Sequence, residues 1–151
     1  MSKLLLVCSS GGHLYEMHAL YQDVWKHHTR IWVTFRKPDA ESILAEESVR
    51  WAFGPTHRNL KNLIRNTGVA FKILREVRPD VIISTGSGIA VPFLLLGKMF
   101  RIKVLFIESV TRTRNLSLTG RLLYPFVDKF LVQSKDLPLK YKKSLFLGRI
   151  F

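Results

Sequence analysis

Short apolar runs that recur along the chain, with helical patterns between them, constrain the fold more than any other feature of this sequence. Each run is four or five residues long and rich in β-branched or aromatic side chains, which predicts a β-strand. The runs are LLLVC at 4–8, IWVTF at 31–35, VRWAF at 49–53, VIIS at 81–84, KVLFI at 103–107 and KFLV at 129–132. Strands that alternate with helices are typical of an α/β fold with a doubly wound parallel sheet.

The apolar runs are continuous rather than alternating, which favours strands whose two faces are both covered by helices. A chain of 151 residues is long enough for one domain of this kind, so we expect a single domain over residues 1–151. In an open parallel sheet, ligands bind at the carboxyl ends of the strands. Functional residues are therefore sought in the loops that follow the strands.

A helical pattern over residues 58–78 separates an apolar stripe from a basic face. The stripe is predicted to face the core and consists of Leu60, Leu63, Ile64, Thr67, Ala70, Phe71, Leu74 and Val77. The basic face consists of Arg58, Lys61, Arg65, Lys72 and Arg75. It has two interpretations, a solvated helix face or attraction to anionic lipid headgroups, which contributes about 1 kcal/mol per basic residue near the membrane surface.

A second helical pattern, over residues 89–101, is apolar on nearly every side. It contains Phe93, Leu94, Leu95, Leu96, Met99 and Phe100, and is followed or interrupted by Lys98, Arg101 and Lys103. A buried core helix is the favoured interpretation, with insertion into a membrane interface as the alternative. Its apolar part, residues 89–97, is about half the roughly 20 residues that a spanning helix needs, so we expect no transmembrane helix. The N-terminal run LLLVC is too short for a signal peptide and is followed by glycines, so none is expected.

The first strand is followed by a glycine loop, SSGGHLYEM at 9–17. Gly11 and Gly12 permit a tight strand-to-helix turn whose free amides can hold an anion. His13 stands at the start of the predicted helix, where a neutral imidazole can act as a general base; the alternative is a histidine that simply begins the helix. The loop is not G-x-G-x-x-G, and Arg36 and Lys37 stand where a dinucleotide site would need an acid, so an ordinary dinucleotide site is not expected.

Two further loops follow later strands. STGSGIAVP at 84–92 offers Gly86, Ser87 and Gly88 at a helix entrance, either for ligand binding or only for a tight turn. IESVTRTRN at 107–115 places Glu108 at a strand end, followed by Arg112 and Arg114. A carboxylate there can receive substrate hydroxyls, and arginine matches phosphate oxygens. We expect the three loops to converge on one cleft.

Charge and cysteine content narrow the possible partners. Lys and Arg number 24 against 11 Asp and Glu, so the chain carries a formal charge of +13, which favours nucleic acid, a phosphorylated ligand or an acidic membrane. The single cysteine, Cys8, excludes an intramolecular disulfide and suits a reducing cytoplasm. Cys8, His27 and His28 lack the spacing of a zinc site, so no metal is assigned. A nucleic-acid-binding or scaffolding module is the alternative function, although the basic helix lacks interleaved aromatic residues for base stacking.

Four segments, in this order, resemble one protein family along nearly the whole chain. They are SSGGHLYEM, RPDVIISTGSGIAVP, VLFIESVTRTRNLSLTGRLLYPFVDKFLVQS and the terminal LGRIF. The family is that of membrane-associated subunits of split GT-B glycosyltransferases. Nearest in pattern are the bacterial capsule and exopolysaccharide proteins of the PssD type and the anchoring subunit of the two-chain UDP-N-acetylglucosamine transferase of asparagine-linked glycosylation. A wider resemblance is to the N-terminal half of MurG.

The resemblance implies a Rossmann-like domain of the GT-B N-terminal type and a subunit role in capsule or exopolysaccharide synthesis. This chain would bind a polyprenyl-diphosphate-linked sugar acceptor, peripherally, at the cytoplasmic face of the membrane. A separate partner subunit would bind the UDP-sugar, which is a co-substrate, so no cofactor is expected. The active enzyme would then be a hexosyltransferase that forms only as a hetero-oligomer.

The resemblance also assigns roles to individual residues. His13 and Glu108 are the catalytic candidates, with His13 preferred as the base that activates the acceptor hydroxyl. The acceptor and its phosphates are assigned to Gly11, Gly12, Gly86, Ser87, Gly88 and Arg112. Membrane contact is assigned to Arg58, Lys61, Arg65, Lys72, Phe93, Lys98 and Arg101. The C-terminal tail, residues 149–151, is a candidate docking element for the partner.

Overall fold

A computed structural model describes residues 2–21 and 23–150, and within them the chain forms one seven-stranded sheet in which every pairing is parallel. The strands are β1 (Lys3–Cys8), β2 (Thr29–Phe35), β3 (Val49–Ala52), β4 (Val81–Gly86), β5 (Lys103–Ile107), β6 (Lys129–Val132) and β7 (Ser144–Phe146). The helices are α1 (Gly12–Ala19), α2 (Pro38–Ile43), α3 (Leu60–Val77), α4 (Ala90–Met99), α5 (Leu118–Leu123) and α6 (Leu137–Lys140), with a 3₁₀ turn at Trp25–His27. The six predicted strands are confirmed; β7 was not predicted.

The strand order is β3-β2-β1-β4-β5-β6-β7, so the direction in which the sheet is wound reverses between β1 and β4. Leu4 of β1 pairs with Arg30 of β2 on one side and with Val81 of β4 on the other. The loops that leave β1 and β4 therefore diverge at their carboxyl ends and open a crevice there. The predicted Rossmann-like, doubly wound α/β fold is confirmed.

The core consists of two layers, one on each face of the sheet, and β1 supplies both of them. Leu5 and Val7 point into the layer that α3 and α4 cover, whereas Leu4, Leu6 and Cys8 point into the layer beneath α1. Burial raises the pKa of the Cys8 thiol to about 12, so it stays protonated at neutral pH. The continuous apolar runs thus reflect strands covered on both faces, as predicted.

Helix α4 belongs to the core. Phe93 has 0% of its surface exposed, so the expected membrane contact at Phe93 is wrong. Gly97 lets the helix lie against the sheet, since a Cβ atom there would come within 2.5 Å of Ile82 Cδ1. Of the predicted membrane residues at its C-terminal end, Lys98 forms an ion pair with Asp128, with Nζ and Oδ1 2.8 Å apart. The exposed apolar surface of this region is confined to Met99 and the adjoining Phe100.

Helix α3 faces the core with a different side from the one predicted. Leu60 and Ile64 are 70% and 66% exposed, and Phe71 is exposed as well. Buried in their place are Asn62 and Asn66, although Ala70, Leu74 and Val77 are buried as predicted. The assignment to the core is therefore wrong for Leu60, Leu63, Ile64, Thr67 and Phe71, and right for the other three residues of the stripe.

Hydrogen bonds to the β3–α3 loop explain why two asparagines face inward. Asn66 accepts from the Phe53 amide and donates to the Phe53 carbonyl, both at 2.8 Å. Asn62 Nδ2 donates to the Pro55 carbonyl, also at 2.8 Å. Backbone groups of an inward-turned loop need partners, and these two side chains supply them. The helix itself begins one residue after Asn59, whose side chain accepts from the Asn62 amide at 3.0 Å.

Three short helices, α2, α5 and α6, have four to six residues each and were not predicted. Segments of this length hold fewer than two helical turns, so they display no hydrophobic period. Within residues 2–21 and 23–150, no helix combines the length and apolar character that crossing a bilayer requires.

Candidate functional site

The three loops predicted from the sequence meet in one cleft of about 1010 Å³ at the carboxyl ends of β1, β4 and β5. The predicted residues that line it are Gly12, His13, Gly86, Ser87, Gly88, Glu108, Arg112 and Arg58. The position matches the crevice expected where the winding of the sheet reverses. Gly11 does not line the cleft.

Gly11 shapes the first loop and does not offer its amide to a ligand. Its φ of 79° lies in the left-handed region, which favours glycine. Its amide donates to Asp39 Oδ2 at 2.8 Å, so the expected anion-binding role of this N–H is wrong. Gly12, the first residue of α1, lies in open space, because a Cβ atom there would meet nothing within 4 Å.

The first and second loops are held together by direct hydrogen bonds. Thr85 Oγ1 donates to the carbonyl of His13 at 2.7 Å, and the Ser9 amide donates to the carbonyl of Gly86 at 2.9 Å. Gly86 has a φ of 105°, and a Cβ atom on it would lie 3.1 Å from Cε1 of the His13 ring. Gly86 thus provides the space that the imidazole occupies.

The imidazole of His13 has its two nitrogens in different surroundings. Nδ1 is buried beside Gly86, and no residue that the structure describes forms a hydrogen bond with it. His13 as a whole is half-buried and lines the cleft, so Nε2 is the nitrogen able to reach a ligand. An unprotonated Nε2 in that position can accept a proton from a hydroxyl group.

Glu108 is 1% exposed and both of its carboxylate oxygens accept hydrogen bonds from the loop that follows it. Oε1 accepts from the Ser109 amide at 3.0 Å, and Oε2 accepts from the amide and hydroxyl of Ser117 at 2.8 and 2.9 Å. Ser117 in turn caps α5 by accepting from the Gly120 amide at 2.9 Å. This arrangement gives Glu108 a positioning role for residues 109–117 and favours His13 as the base.

Two arginines supply positive charge at the cleft. Arg58 and Arg112 are exposed cleft-lining residues, and among residues 2–21 and 23–150 neither has a carboxylate within salt-bridge distance. Arg114 is exposed but does not line the cleft. Unpaired guanidinium groups can form two parallel hydrogen bonds to a phosphate.

Other cleft residues were not predicted as site residues. They are Tyr15, Glu16, Thr56, His57, Asn59, Leu60, Leu63, Thr85, Val91, Phe106, Ser109, Val110, Thr111, Ser117, Leu118, Thr119 and Leu122. The loop after β3 was overlooked, although its Gly-Pro turn directly after a predicted strand was a usable signal. Four of these residues are leucines, two from α3 and two from α5, so the cleft has an apolar part as well as a polar part.

An exposed surface along α3, which we call the α3 surface, continues from the cleft. Its apolar members are Leu60, Ile64 and Phe71, and its basic members are Arg58, Lys61, Arg65 and Lys72, all exposed. Phe71 packs edge-on against Phe100, with ring centroids 5.7 Å apart, which joins this surface to the end of α4 and the exposed Arg101. Apolar side chains flanked by cations are typical of surfaces that lie on anionic membranes.

Comparison with known proteins identifies the family. The model of a family described as "Oligosaccharide biosynthesis protein Alg14 like" matches residues 49–150, about two thirds of the chain. The chain belongs to the Alg14-like family. The matched residues include the second and third cleft loops and the whole of α3.

Curated relatives of this Alg14-like chain are named as subunits of UDP-N-acetylglucosamine transferase. The protein from Debaryomyces hansenii is 30% identical over 97% of this chain and 75% of its own length. The protein from Schizosaccharomyces pombe is 44% identical over 46% of this chain and 36% of its own length. The human protein is 36% identical over 54% of this chain and 41% of its own length. The chain thus spans less than half the length of the last two relatives.

Solved structures share the fold of this Alg14-like chain at low sequence identity. MurG from Acinetobacter baumannii has a TM-score of 0.72 and 13% identity, over 88% of this chain and 41% of MurG. The S. aureus MnaA structure with UDP has a TM-score of 0.80 and 12% identity, over 99% of this chain and 46% of MnaA. The Neisseria meningitidis UDP-GlcNAc 2-epimerase has a TM-score of 0.79 and 16% identity, over 98% and 47%. Identities this low establish the fold alone.

Proposed function

We propose that this chain is the acceptor-binding subunit of a two-chain glycosyltransferase. It binds a sugar carried on a polyprenyl diphosphate, and a partner subunit holds the UDP-sugar. The observation that carries the proposal is the cleft in which His13, two unpaired arginines and four leucines come together at the reversal of the sheet. Membership of the Alg14-like family and the names of its relatives support the same function.

The polar part of the cleft suits the reacting sugar and its diphosphate. Arg58 and Arg112 neutralise phosphate charge, and the N-terminus of α1 at Gly12 contributes a favourable dipole. The oxygen of an acceptor hydroxyl attacks C1 of the donor sugar, and Nε2 of His13 takes the proton of that hydroxyl. The new C1–O bond forms as the bond from C1 to the UDP oxygen breaks, so UDP leaves and the sugar configuration inverts.

The apolar part of the cleft suits the lipid that carries the sugar. Leu60 and Leu63 line the cleft and begin the α3 surface, which continues along Ile64 to Phe71. An isoprenoid chain leaving the cleft can follow this row into a membrane, while the basic members of the surface bind anionic headgroups. Phe71 is the single aromatic member of the α3 surface as defined above and packs against Phe100; the other apolar members are aliphatic and do not stack on bases, so the surface favours lipid over nucleic acid.

Finer features of the function stay predictions from the sequence. They are a product that is a bacterial capsule or exopolysaccharide of the PssD type, transfer of a hexosyl group, and action at the cytoplasmic face. A docking role for the C-terminal tail is a prediction as well, and Phe151 lies outside the described residues. The single domain expected over residues 1–151 is likewise part of the proposal.

The test is transferase activity of the chain co-expressed with its partner, measured with a UDP-sugar and a short-chain polyprenyl diphosphate sugar. His13→Gln, which keeps a similar volume, should lower kcat about 10²- to 10⁴-fold. His27→Ala is the matched control, because His27 is exposed and does not line the cleft. Full activity in His13→Gln would overturn the role of His13. Transfer at an ordinary rate by the purified chain alone would overturn the two-subunit proposal.

A further inference from the structure

Glu16 is a buried carboxylate in the cleft that the proposed chemistry has not yet used. It lies on α1, three residues after His13, and is 4% exposed. Its Oε1 accepts hydrogen bonds from the Val110 amide at 2.9 Å and from Ser109 Oγ at 3.4 Å. Its Oε2 is buried, and within the described part of the chain nothing donates to it.

Helix α1 carries two buried polar atoms that have no hydrogen-bond partner among the described residues, one on His13 and one on Glu16. Four buried side-chain polar atoms lack a hydrogen bond among the described residues: His13 Nδ1, Glu16 Oε2, Trp32 Nε1 and Thr34 Oγ1. The first two belong to cleft-lining residues and the last two do not. Side chains three residues apart on a helix are neighbours on one face. A buried polar atom without a partner costs about 1–3 kcal/mol, so both atoms gain from pairing.

The chemistry of the two atoms is complementary. If Nε2 is to accept a proton, the neutral imidazole must carry its hydrogen on Nδ1, which is then a buried donor. Glu16 Oε2 is a buried acceptor. The other carboxylate lining the cleft, Glu108, has both oxygens occupied by donors from the loop it precedes. Glu16 therefore holds the available carboxylate oxygen of the cleft.

We propose that Glu16 is a positioning residue for His13: its Oε2 accepts the Nδ1 hydrogen, fixes the tautomer in which Nε2 is the base, and stabilises the imidazolium formed during transfer. The two atoms are not hydrogen-bonded in the structure, and the proposal requires the His13 ring to rotate toward Oε2 as the acceptor binds. Hydrogen bonds between catalytic groups are often long before substrate arrives and then tighten. Because Oε1 of the same carboxylate anchors Val110, Glu16 also links the base to the third cleft loop. The inference rests on the proposed function.

The tautomer of His13 tests the proposal without any enzymatic assay. In the full-length wild-type chain labelled with ¹⁵N-histidine and saturated with a short-chain polyprenyl diphosphate sugar, nitrogen chemical shifts at a pH where the ring is neutral should show the hydrogen on Nδ1. Glu16→Gln should move it toward Nε2, because the amide can keep the bond from Val110 while presenting NH₂ to the ring. A hydrogen on Nε2 in the wild type, or the same tautomer in both chains, would overturn the proposal.

Kinetics of the complex with its partner give the second readout. Glu16→Gln should lower kcat at least about 100-fold, with the KM for the acceptor changed by less than about threefold. Ser109→Ala is the matched control for loop anchoring, since it removes the 3.4 Å contact to Oε1 together with two contacts between Ser109 Oγ and Thr111, and leaves Oε2 unchanged. An equal loss in Ser109→Ala would reduce Glu16 to a loop anchor. Full activity in Glu16→Gln beside an inactive His13→Gln would sink this inference and leave the proposed function standing, whereas an inactive wild-type complex would count against the proposed function.

Discussion

Helices α3 and α4 pack side by side on one face of the sheet, but α4 buries most of its apolar side chains and α3 exposes several of its own. Helix α4 is apolar on nearly every side and is buried, with Phe93 at 0% exposed. Helix α3 buries two asparagines and exposes Leu60, Ile64 and Phe71. The distribution of apolar side chains on a helix thus does not by itself determine which side faces the core. In α3 the orientation also depends on backbone groups of the preceding loop, which need hydrogen-bond partners.

The largest effect that tests this comparison is expected at Phe93. Phe93→Ala should lower the free energy of unfolding by about 3–5 kcal/mol, because it leaves a cavity in the core. Phe71→Ala on the exposed side of α3 is the matched control and should change it by less than about 1 kcal/mol. Urea unfolding measures both. Similar losses in the two variants would mean that α3 and α4 are equally buried.

Asn66 provides the second test. Asn66→Ala should cost about 1–3 kcal/mol, since the amide and carbonyl of Phe53 lose their partner. Thr67→Ala, one residue further and exposed, removes a hydrogen bond to the Leu63 carbonyl and should have almost no effect. The measurement is again unfolding in urea. An Asn66→Ala chain as stable as wild type would remove the explanation given for the orientation of α3.

The α3 surface provides the third test, in membrane binding rather than stability. Ile64→Ser and Lys61→Ala should each weaken binding to anionic vesicles by about 1 kcal/mol, or about fivefold, through lost apolar contact and lost charge. Vesicle co-sedimentation at fixed salt measures the change. Leu139→Ser on α6 is the control, because Leu139 is at least as exposed as Ile64 but lies on another element. Binding that falls as much in Leu139→Ser would show that exposed apolar surface in general is responsible.

The smallest effect is expected at the polar end of α4. Partial burial acts to raise the pKa of Asp128, but hydrogen bonds from Lys98 Nζ and the Val104 amide outweigh it and hold this pKa below its ordinary value. A lowered pKa in the folded state stabilises the fold above the unfolded pKa, about 4, and the gain is lost as the pH falls through the folded pKa.

Asp128→Asn should therefore lower the Tm slightly at neutral pH and not at all in strong acid. Both side chains of the ion pair are more than a third exposed, so solvent screens their interaction. The expected loss in the free energy of unfolding is therefore only about 0.2–0.5 kcal/mol. Thermal melts over a pH series measure it. Lys135→Ala, an exposed lysine away from this ion pair, serves as the control. A difference between Asp128→Asn and wild type that grows in acid would reverse the sign argued here.

The strands and the cleft loops could be predicted from the sequence, because each has a recognisable local residue pattern. A covered parallel strand is an unbroken apolar run, and the turn after β4 needs glycine at Gly86, where φ is 105° and the His13 ring lies close. The orientation of α3 could not be predicted from the sequence, because Asn62 and Asn66 face inward only through hydrogen bonds to the backbone of Phe53 and Pro55. Strand β7 has three residues, too few for a pattern. The role of Glu16 depends on which oxygen of a buried carboxylate has a partner, which only three-dimensional packing determines.

The uniformly parallel sheet has a consequence for the order in which the chain can fold. No two neighbouring strands can be joined by a short hairpin, since every parallel pairing requires a crossover. The interior strand β1 gains its partner β4 only when residues 81–86 are available. A protein dominated by such distant pairings is expected to fold slowly. During synthesis, β1 therefore keeps one unpaired edge until residues 81–86 have left the ribosome, and the cleft it borders forms later still, because residues up to Leu122 line it.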